Sequence, residues 1–177
     1  MKIGIDISQL AFPRTGVANY LEHLTESLLK QDKENEYILF FSSLRKKLEY
    51  SVISEFTSSR VSFKFYKFPP IVLDILWNKL HIIPIEWLIG DVDIFIASDW
   101  TQPPTFRAKK ATILYDLIVY TYPEETAQKI VETQKRKLRW VKKECDVVLC
   151  ISEATKRDAV EILGIEEKKL RVVYPGV

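Results

Sequence analysis

Lys2-Ile-Gly-Ile-Asp-Ile-Ser8 leads into Gln9-Leu-Ala-Phe-Pro-Arg-Thr-Gly16 and then into Val17–Leu29, and this stretch decides the fold. Ile3, Ile5 and Ile7 alternate with Lys2, Gly4, Asp6 and Ser8, the period of a strand. Small Gly4 permits close packing on the second face. Pro13 and Gly16 punctuate a loop. From Val17 onward Tyr20, Leu21, Leu24 and Leu28 share one helical side, with Glu22, Thr25 and Glu26 on the other. Strand, loop and helix make the first half of a βαβ unit. In such units ligands collect at the carboxyl end of the strand, in front of the helix N-terminus.

Outward from there the pattern repeats. Strands are expected at Glu36–Phe41, Val61–Phe68, Val92–Ala97, Ala111–Tyr115, Asp146–Ile151 and Leu170–Tyr174. Between them, Leu44–Thr57 reads as a polar loop with a short helix. Ile71–Ile89 reads as an apolar helix bent at Pro84, with Ile71, Leu76, Trp77, Leu80, Ile83 and Trp87 on its buried face. Pro123-Glu-Glu is expected to open a long helix to Glu144, with acids at its start and Lys142 and Lys143 at its end, as the helix dipole favours. Ser152 is expected to cap a helix that Gly164 stops. Strands alternating with helices predict an α/β class: a Rossmann-like, doubly wound, mostly parallel sheet of about seven strands with helices on both faces. Residues 1–177 form a single domain by length.

Composition narrows the function classes. A net charge of +2 argues neither for nor against nucleic acid, but aromatic interleaving of the basic helix is limited to Trp140, so no nucleic-acid partner is expected. Cys145 and Cys150 are too few for a disulfide framework or a zinc site and read as buried thiols. His23 and His81 have no carboxylate or cysteine at ligand spacing, so no metal is expected. Asp74, Lys79, His81 and Glu86 interrupt the apolar 71–89 segment, which therefore does not read as a membrane span. Met1-Lys2 leads directly into a strand without a secretory leader, and a cytoplasmic location is expected. Lys129, Lys135, Arg136, Lys137, Arg139, Lys142 and Lys143 lie on one helix; they read as a solvated face, with peripheral contact to anionic lipid on the inner membrane surface as the alternative.

Four loops after strands carry the candidate chemistry. Arg14-Thr15-Gly16 offers a backbone that can approach a phosphate, or simply a turn; a dinucleotide fingerprint needs more glycines than Gly16 alone. Ser98-Asp99-Trp100 sets an acid beside an indole. A carboxylate accepts sugar hydroxyl hydrogens and an aromatic face stacks on sugar C–H surfaces, while an ordinary polar loop is the plainer alternative. Asp116, beyond Tyr115, can hold a hydroxyl or cap a turn. Ser152-Glu153 is a helix cap or a ligand contact.

Taken in order, these pieces resemble the N-terminal domain of GT-B-fold retaining glycosyltransferases of family 4. The resemblance rests on Ile3-Gly-Ile-Asp-Ile7 with Thr15-Gly-Val-Ala-Asn-Tyr20, on Leu76-Trp77 with Asp91-Val-Asp-Ile-Phe95, on Thr112-Ile-Leu-Tyr-Asp-Leu-Ile118 with Tyr122-Pro-Glu124, and on Ile151-Ser-Glu-Ala-Thr-Lys-Arg-Asp158 with Val172-Val-Tyr-Pro-Gly-Val177. It implies an acceptor-side domain that needs a C-terminal GT-B domain, on the same or a separate chain, to complete a nucleotide-sugar site. The acceptor is a saccharide or lipid-linked. No cofactor and no metal ion are implied, because backbone amides and basic groups neutralise the leaving diphosphate. The resemblance places Tyr115 and Asp116 at the reacting centre, and Arg14, Thr15, Gly16, Asn19, Asp99, Trp100, Ser152 and Glu153 around the substrates. Where the family carries histidines before Asp-Leu and after its fourth strand, this chain has Tyr115, Ile96 and Asp99. A non-catalytic sugar-binding or regulatory domain is the alternative that those replacements leave open.

Overall fold

The computed structural model describes residues 1–176; Val177, the last residue of the final motif, lies outside them. Strand β1 (Lys2–Asp6) pairs along both edges, so that Gly4 lies opposite Ile38 on one side and Phe95 on the other. The remaining strands are β2 (Glu36–Ser42), β3 (Val61–Tyr66), β4 (Ile94–Ala97), β5 (Lys109–Leu114), β6 (Val147–Cys150) and β7 (Leu170–Val172). They form one seven-stranded sheet in the order β3-β2-β1-β4-β5-β6-β7. Every neighbouring pair is parallel, which sharpens the expectation of a mostly parallel sheet. The winding direction reverses between β1 and β4, and in such sheets the ligand crevice opens there, outside the strand carboxyl ends.

Helices cover both faces, as a wholly parallel sheet requires. Ile5, Tyr37, Leu39 and Ile113 pack with helices α1 (Gly16–Gln31) and α2 (Tyr50–Phe56). Their alternating neighbours Ile38, Phe40 and Phe95 point the other way, onto Trp77, Ile85 and Ile89. There α3 (Pro70–Leu73) runs into a π-turn at Asp74–Lys79, and α4 (Glu86–Ile89) follows. Leu114, Val148 and Cys150 meet α6 (Gln128–Glu144) and α7 (Glu153–Glu161). A short α5 (Ile118–Thr121) lies between β5 and α6. Both cysteines are buried free thiols. No helix among the described residues is long and apolar enough to cross a membrane.

Three local expectations need correction. The 71–89 segment is no single bent helix. Its chain reverses through His81 and Ile83, both at positive φ, and Ile71, Leu80 and Trp87 are exposed while Leu73, Trp77, Ile85 and Ile89 are buried. Pro123 opens only a short 3-10 turn (Pro123–Glu125), and α6 begins afresh at Gln128. Thr25, expected on the polar side of α1, is buried and donates its hydroxyl to the Leu21 carbonyl at 2.7 Å, which satisfies it inside the helix.

Two glycines separate packing from other demands. A Cβ on Gly4 would sit 2.7 Å from Phe95 Cδ2 and 2.9 Å from Ile89 Cδ1, inside a packed core. A Cβ on Gly16 would meet nothing within 4 Å, and its φ is not in the left-handed region. Gly4→Ala should therefore destabilise the fold by about 1–3 kcal/mol through overpacking. Gly16→Ala should leave stability within about 0.5 kcal/mol, as surface changes usually do. Urea unfolding of the two variants checks both.

Candidate functional site

Two loops wall the crevice. The first follows β1 through a 3-10 turn at Ser8–Ala11 to Arg14, whose φ of 70° is a left-handed conformation that side chains resist. Strain of this kind gathers at functional sites. Thr15 then caps α1: its Oγ1 accepts the Ala18 N–H at 3.2 Å and donates to the Phe12 carbonyl at 3.0 Å. The cap leaves the Gly16 and Val17 N–H groups as the orphan donors of the first turn. With no side chain at Gly16, the helix N-terminus is unobstructed, and neither φ nor packing explains the glycine.

The second loop follows β4 from Ser98 and is held from beneath. Asn78, buried in the π-turn, donates to the Trp100 carbonyl at 2.8 Å and accepts the Gln102 N–H at 3.0 Å. Its own carbonyl takes the Trp140 indole N–H at 2.8 Å, and its amide also reaches Asp74. Wide turns inside helices recur at functional sites. Here the turn supplies an amide that fixes the loop carrying Asp99 and Trp100.

Beneath both loops lies a buried charged floor. Lys137 of α6 is only 2% exposed, and its Nζ donates to the Ser98 carbonyl at 2.6 Å. It does not belong to the solvated basic face expected of its helix; Arg136 is likewise engaged, paired with Asp74 at 2.7 Å. Burial pushes the Lys137 ammonium below its usual range, opposed by the nearby Asp99, Cys145 and Asp6. Asp6 and Asp99 are both pushed up by burial. Asp6 is drawn back by Ser8, whose N–H it accepts at 2.9 Å, and by Lys137. Asp99 is drawn back by Lys137 and by the Gln134 amide, which donates to its Oδ1 at 3.1 Å.

The Tyr115 phenol completes the floor. Burial raises its pKa well above the usual value; Ser98 opposes that rise and Asp99 adds to it. Neither the Tyr115 nor the Ser98 hydroxyl has a partner in hydrogen-bonding geometry, an unusual state for buried polar groups. The Tyr20 ring meets Tyr115 edge-on at 5.6 Å.

Tyr115, Asp116, Asp99, Trp100, Val17 and Lys137 share a hollow of about 160 Å³. A larger apolar hollow of about 440 Å³ continues from Asp99, Trp100 and Val17 to Thr15, Phe12 and Gln9. Thus the structure gathers Thr15, Asp99, Trp100, Tyr115 and Asp116 around one crevice, with Gly16 beside it at the head of α1. Asp116 is exposed and accepts the Ile118 N–H at 3.1 Å. Arg14 and Asn19 are exposed on the same loop and helix but line neither hollow. Ser152 is occupied as the cap of α7, accepting the Thr155 N–H at 3.1 Å, and Glu153 is exposed; these two also lie outside both hollows. A depression of about 940 Å³ at the strand amino ends is lined by Lys2, Glu86, Asp91, Asp93, Arg107 and Lys109, charges of mixed sign far from any strand carboxyl end.

Gln134 and Asn78 were not singled out from sequence, and Lys137 only as one member of a solvated basic run. The signal for two of them was present: Gln134 and Lys137 fall on the stripe of Val131, Leu138 and Val141, where polar residues interrupt an apolar face. Removing Lys137 should move both acids, buried Asp6 and half-buried Asp99, further up. In Lys137→Met, carboxyl ¹³C titration should show Asp6 and Asp99 protonating at higher pH than in the parent. A folded carboxyl with a raised pKa binds protons that the unfolded chain releases. The stability deficit of the variant should therefore grow as pH rises from 4 toward 7, which denaturant curves at both ends measure.

No match to this chain was found among the curated proteins searched. The model of the family described as Glycosyltransferase Family 4 matches residues 14–177. That span takes in the capped α1 N-terminus, the Asn78-braced loop, Tyr115-Asp116 and the α7 cap, and the chain belongs to Glycosyltransferase Family 4.

Proposed function

We propose that this chain is the acceptor-side domain of a retaining glycosyltransferase that moves a sugar from a nucleotide-sugar to an acceptor hydroxyl, with a C-terminal GT-B domain completing the donor site. The observation that carries this reading is the open α1 N-terminus at Gly16, whose neighbours Thr15 and Val17 line the same crevice as Asp99 and Trp100. Orphan N–H groups and the helix dipole favour an anion there. In this scheme they meet the donor diphosphate while Trp100 stacks on a sugar ring and Asp99 accepts a sugar hydroxyl. The bond from the anomeric carbon to the diphosphate breaks, the bond to the acceptor oxygen forms, and the acceptor proton passes to the departing diphosphate. Stabilising that departing charge is the main catalytic contribution. The helix N-terminus and basic groups of the second domain supply it without a metal ion or other cofactor. Asp116 orients a hydroxyl at the rim, and Tyr115 stands where the family carries histidine. Arg14 and Asn19 extend the substrate-facing wall, and Ser152 and Glu153 border it from α7. The reaction belongs in the cytoplasm, with the domain resting peripherally on the inner membrane face when its acceptor is lipid-linked.

A second reading, a non-catalytic sugar-binding domain, has one observation in its favour. The Tyr115 hydroxyl is buried and reaches a ligand only if the side chain moves. Tyr115→Phe separates the two. In the two-domain protein, the transferase reading expects about a tenfold or greater loss of transfer; unchanged turnover places Tyr115 outside the chemistry.

The division of labour between domains has its own test. Calorimetric titration of this chain with UDP- and GDP-sugars should give dissociation constants weaker than about 0.1 mM, about 5.5 kcal/mol of binding. Gly16→Val should remove the phosphate-dependent part of it. A sub-micromolar donor complex of this chain alone would sink the proposal that a second domain provides most of the donor contacts.

A further inference from the structure

On the same carboxyl edge of the sheet, beyond β2 and β3, a second hollow of about 410 Å³ combines two chemistries. Its floor is apolar: Phe41 and Leu48 are buried and Ile53 half-buried beneath it. Phe65 stands against Phe41 at 6.0 Å yet remains exposed, as does Leu44. Its rim carries Arg45, Lys46, Lys47 and Lys67, all exposed, with no acidic residue in the lining. Among the described residues none of these cations forms an ion pair. Glu49, the nearest acid in sequence, lies outside the lining at the start of α2.

One contact links this hollow to the crevice. Lys46 Nζ sits 4.2 Å above the Phe12 ring, and Phe12 in turn lines the larger crevice hollow beside Thr15 and Trp100. A cation over an aromatic face is held there by the ring quadrupole. An apolar floor with an uncompensated cationic rim fits a ligand with an anionic group attached to an apolar one. Water alone satisfies the cations, but exposed Phe65 and Leu44 gain only from an apolar partner.

We infer that the acceptor is a phosphate-bearing amphiphile, whose phosphate binds Arg45, Lys46, Lys47 and Lys67 and whose apolar part lies on Phe65 and Leu44, while its hydroxyl reaches over Phe12 into the crevice. The acceptor role rests on the glycosyl-transfer reading above; the binding does not. The probe is dodecyl phosphate below its micellar concentration, titrated into the ¹⁵N-labelled chain, with dodecyl glucoside and inorganic phosphate as separate arms. Amide shifts should centre on Leu44–Leu48, Phe65 and Lys67. Dodecyl phosphate should bind about tenfold or more tightly than either comparison compound. Replacing the four rim cations by Ser should weaken it at least about tenfold, whereas Lys129→Ser with Lys142→Ser on α6 should change nothing. All the replaced residues are exposed, where substitutions usually have little effect on stability.

Equal binding of the neutral glucoside removes the phosphate from the inference, and equal binding of inorganic phosphate removes the apolar group. Shifts centred on α6 overturn it altogether. Transfer assays with the two-domain protein separate this from the parent reading. Transfer to neutral acceptors with the hollow empty overturns the inference alone. An occupied hollow with no transfer to any acceptor overturns the transferase reading and the acceptor role with it, leaving a phosphoamphiphile-binding domain.

Discussion

The structure depends on a bare Cα. Gly4 lies directly opposite Phe95 in the β1–β4 pair, and its missing side chain is the space that the Phe95 ring and the Ile89 methyl occupy. That contact joins the two halves of the winding. On one side lie β2 and β3, on the other β4 to β7, and the seam between them is where the crevice must open. A larger residue at position 4 would force either the strand pair or α4 outward. The loops bearing Thr15 and Trp100 rise from the two strands so paired, and their separation is fixed by the same register.

Around that seam the protein keeps polar groups where an apolar core would be simpler. Lys137, Asp6 and Asp99 are desolvated together, and each is tolerated because the others offset its charge. The Ser98 and Tyr115 hydroxyls remain unmatched beside them. Unpaired buried groups cost about 1–3 kcal/mol each. Local departures from self-consistency are expected where function competes with stability. The Arg14 backbone, in the loop after β1, and the π-turn at Asp74–Lys79, which braces the loop after β4, are two more departures.

What could be read from the residues followed the range of the forces involved. Strand alternation, the turn at Gly16 and the Ser152 cap are local, and they reveal the sheet, its helices and the crevice. The reversal through His81 and Ile83 was hidden because its cause is tertiary. Trp77 turns inward to donate to the Ile83 carbonyl at 2.9 Å, and His81 stacks on Trp140 at 3.6 Å and bonds Glu144 at 3.0 Å. Trp140 and Glu144 lie far along the chain, and a helical pattern drawn through Ile71, Leu80 and Trp87 cannot see them. Asp99 and Trp100 were legible as a pair, since an acid beside an indole after a strand is itself a pattern. Asn78 was not, because an asparagine in an apolar run gains its meaning only from the loop that descends onto it.

The central place of β1 also shapes how the chain comes together during synthesis. Strand β1 is made before the other six strands and is interior to the finished sheet. Its partner β2 follows within 42 residues, but its other edge stays open until Ile94–Ile96 has been made. Throughout that interval Ile3 and Ile5 flank a row of unpaired backbone groups, which can pair with any extended segment nearby. Long-range parallel pairing is slow, and such intermediates are prone to aggregate. The seam that builds the crevice is thus also an open edge of the nascent sheet, and the stretch between residues 42 and 94 sets how long it remains so.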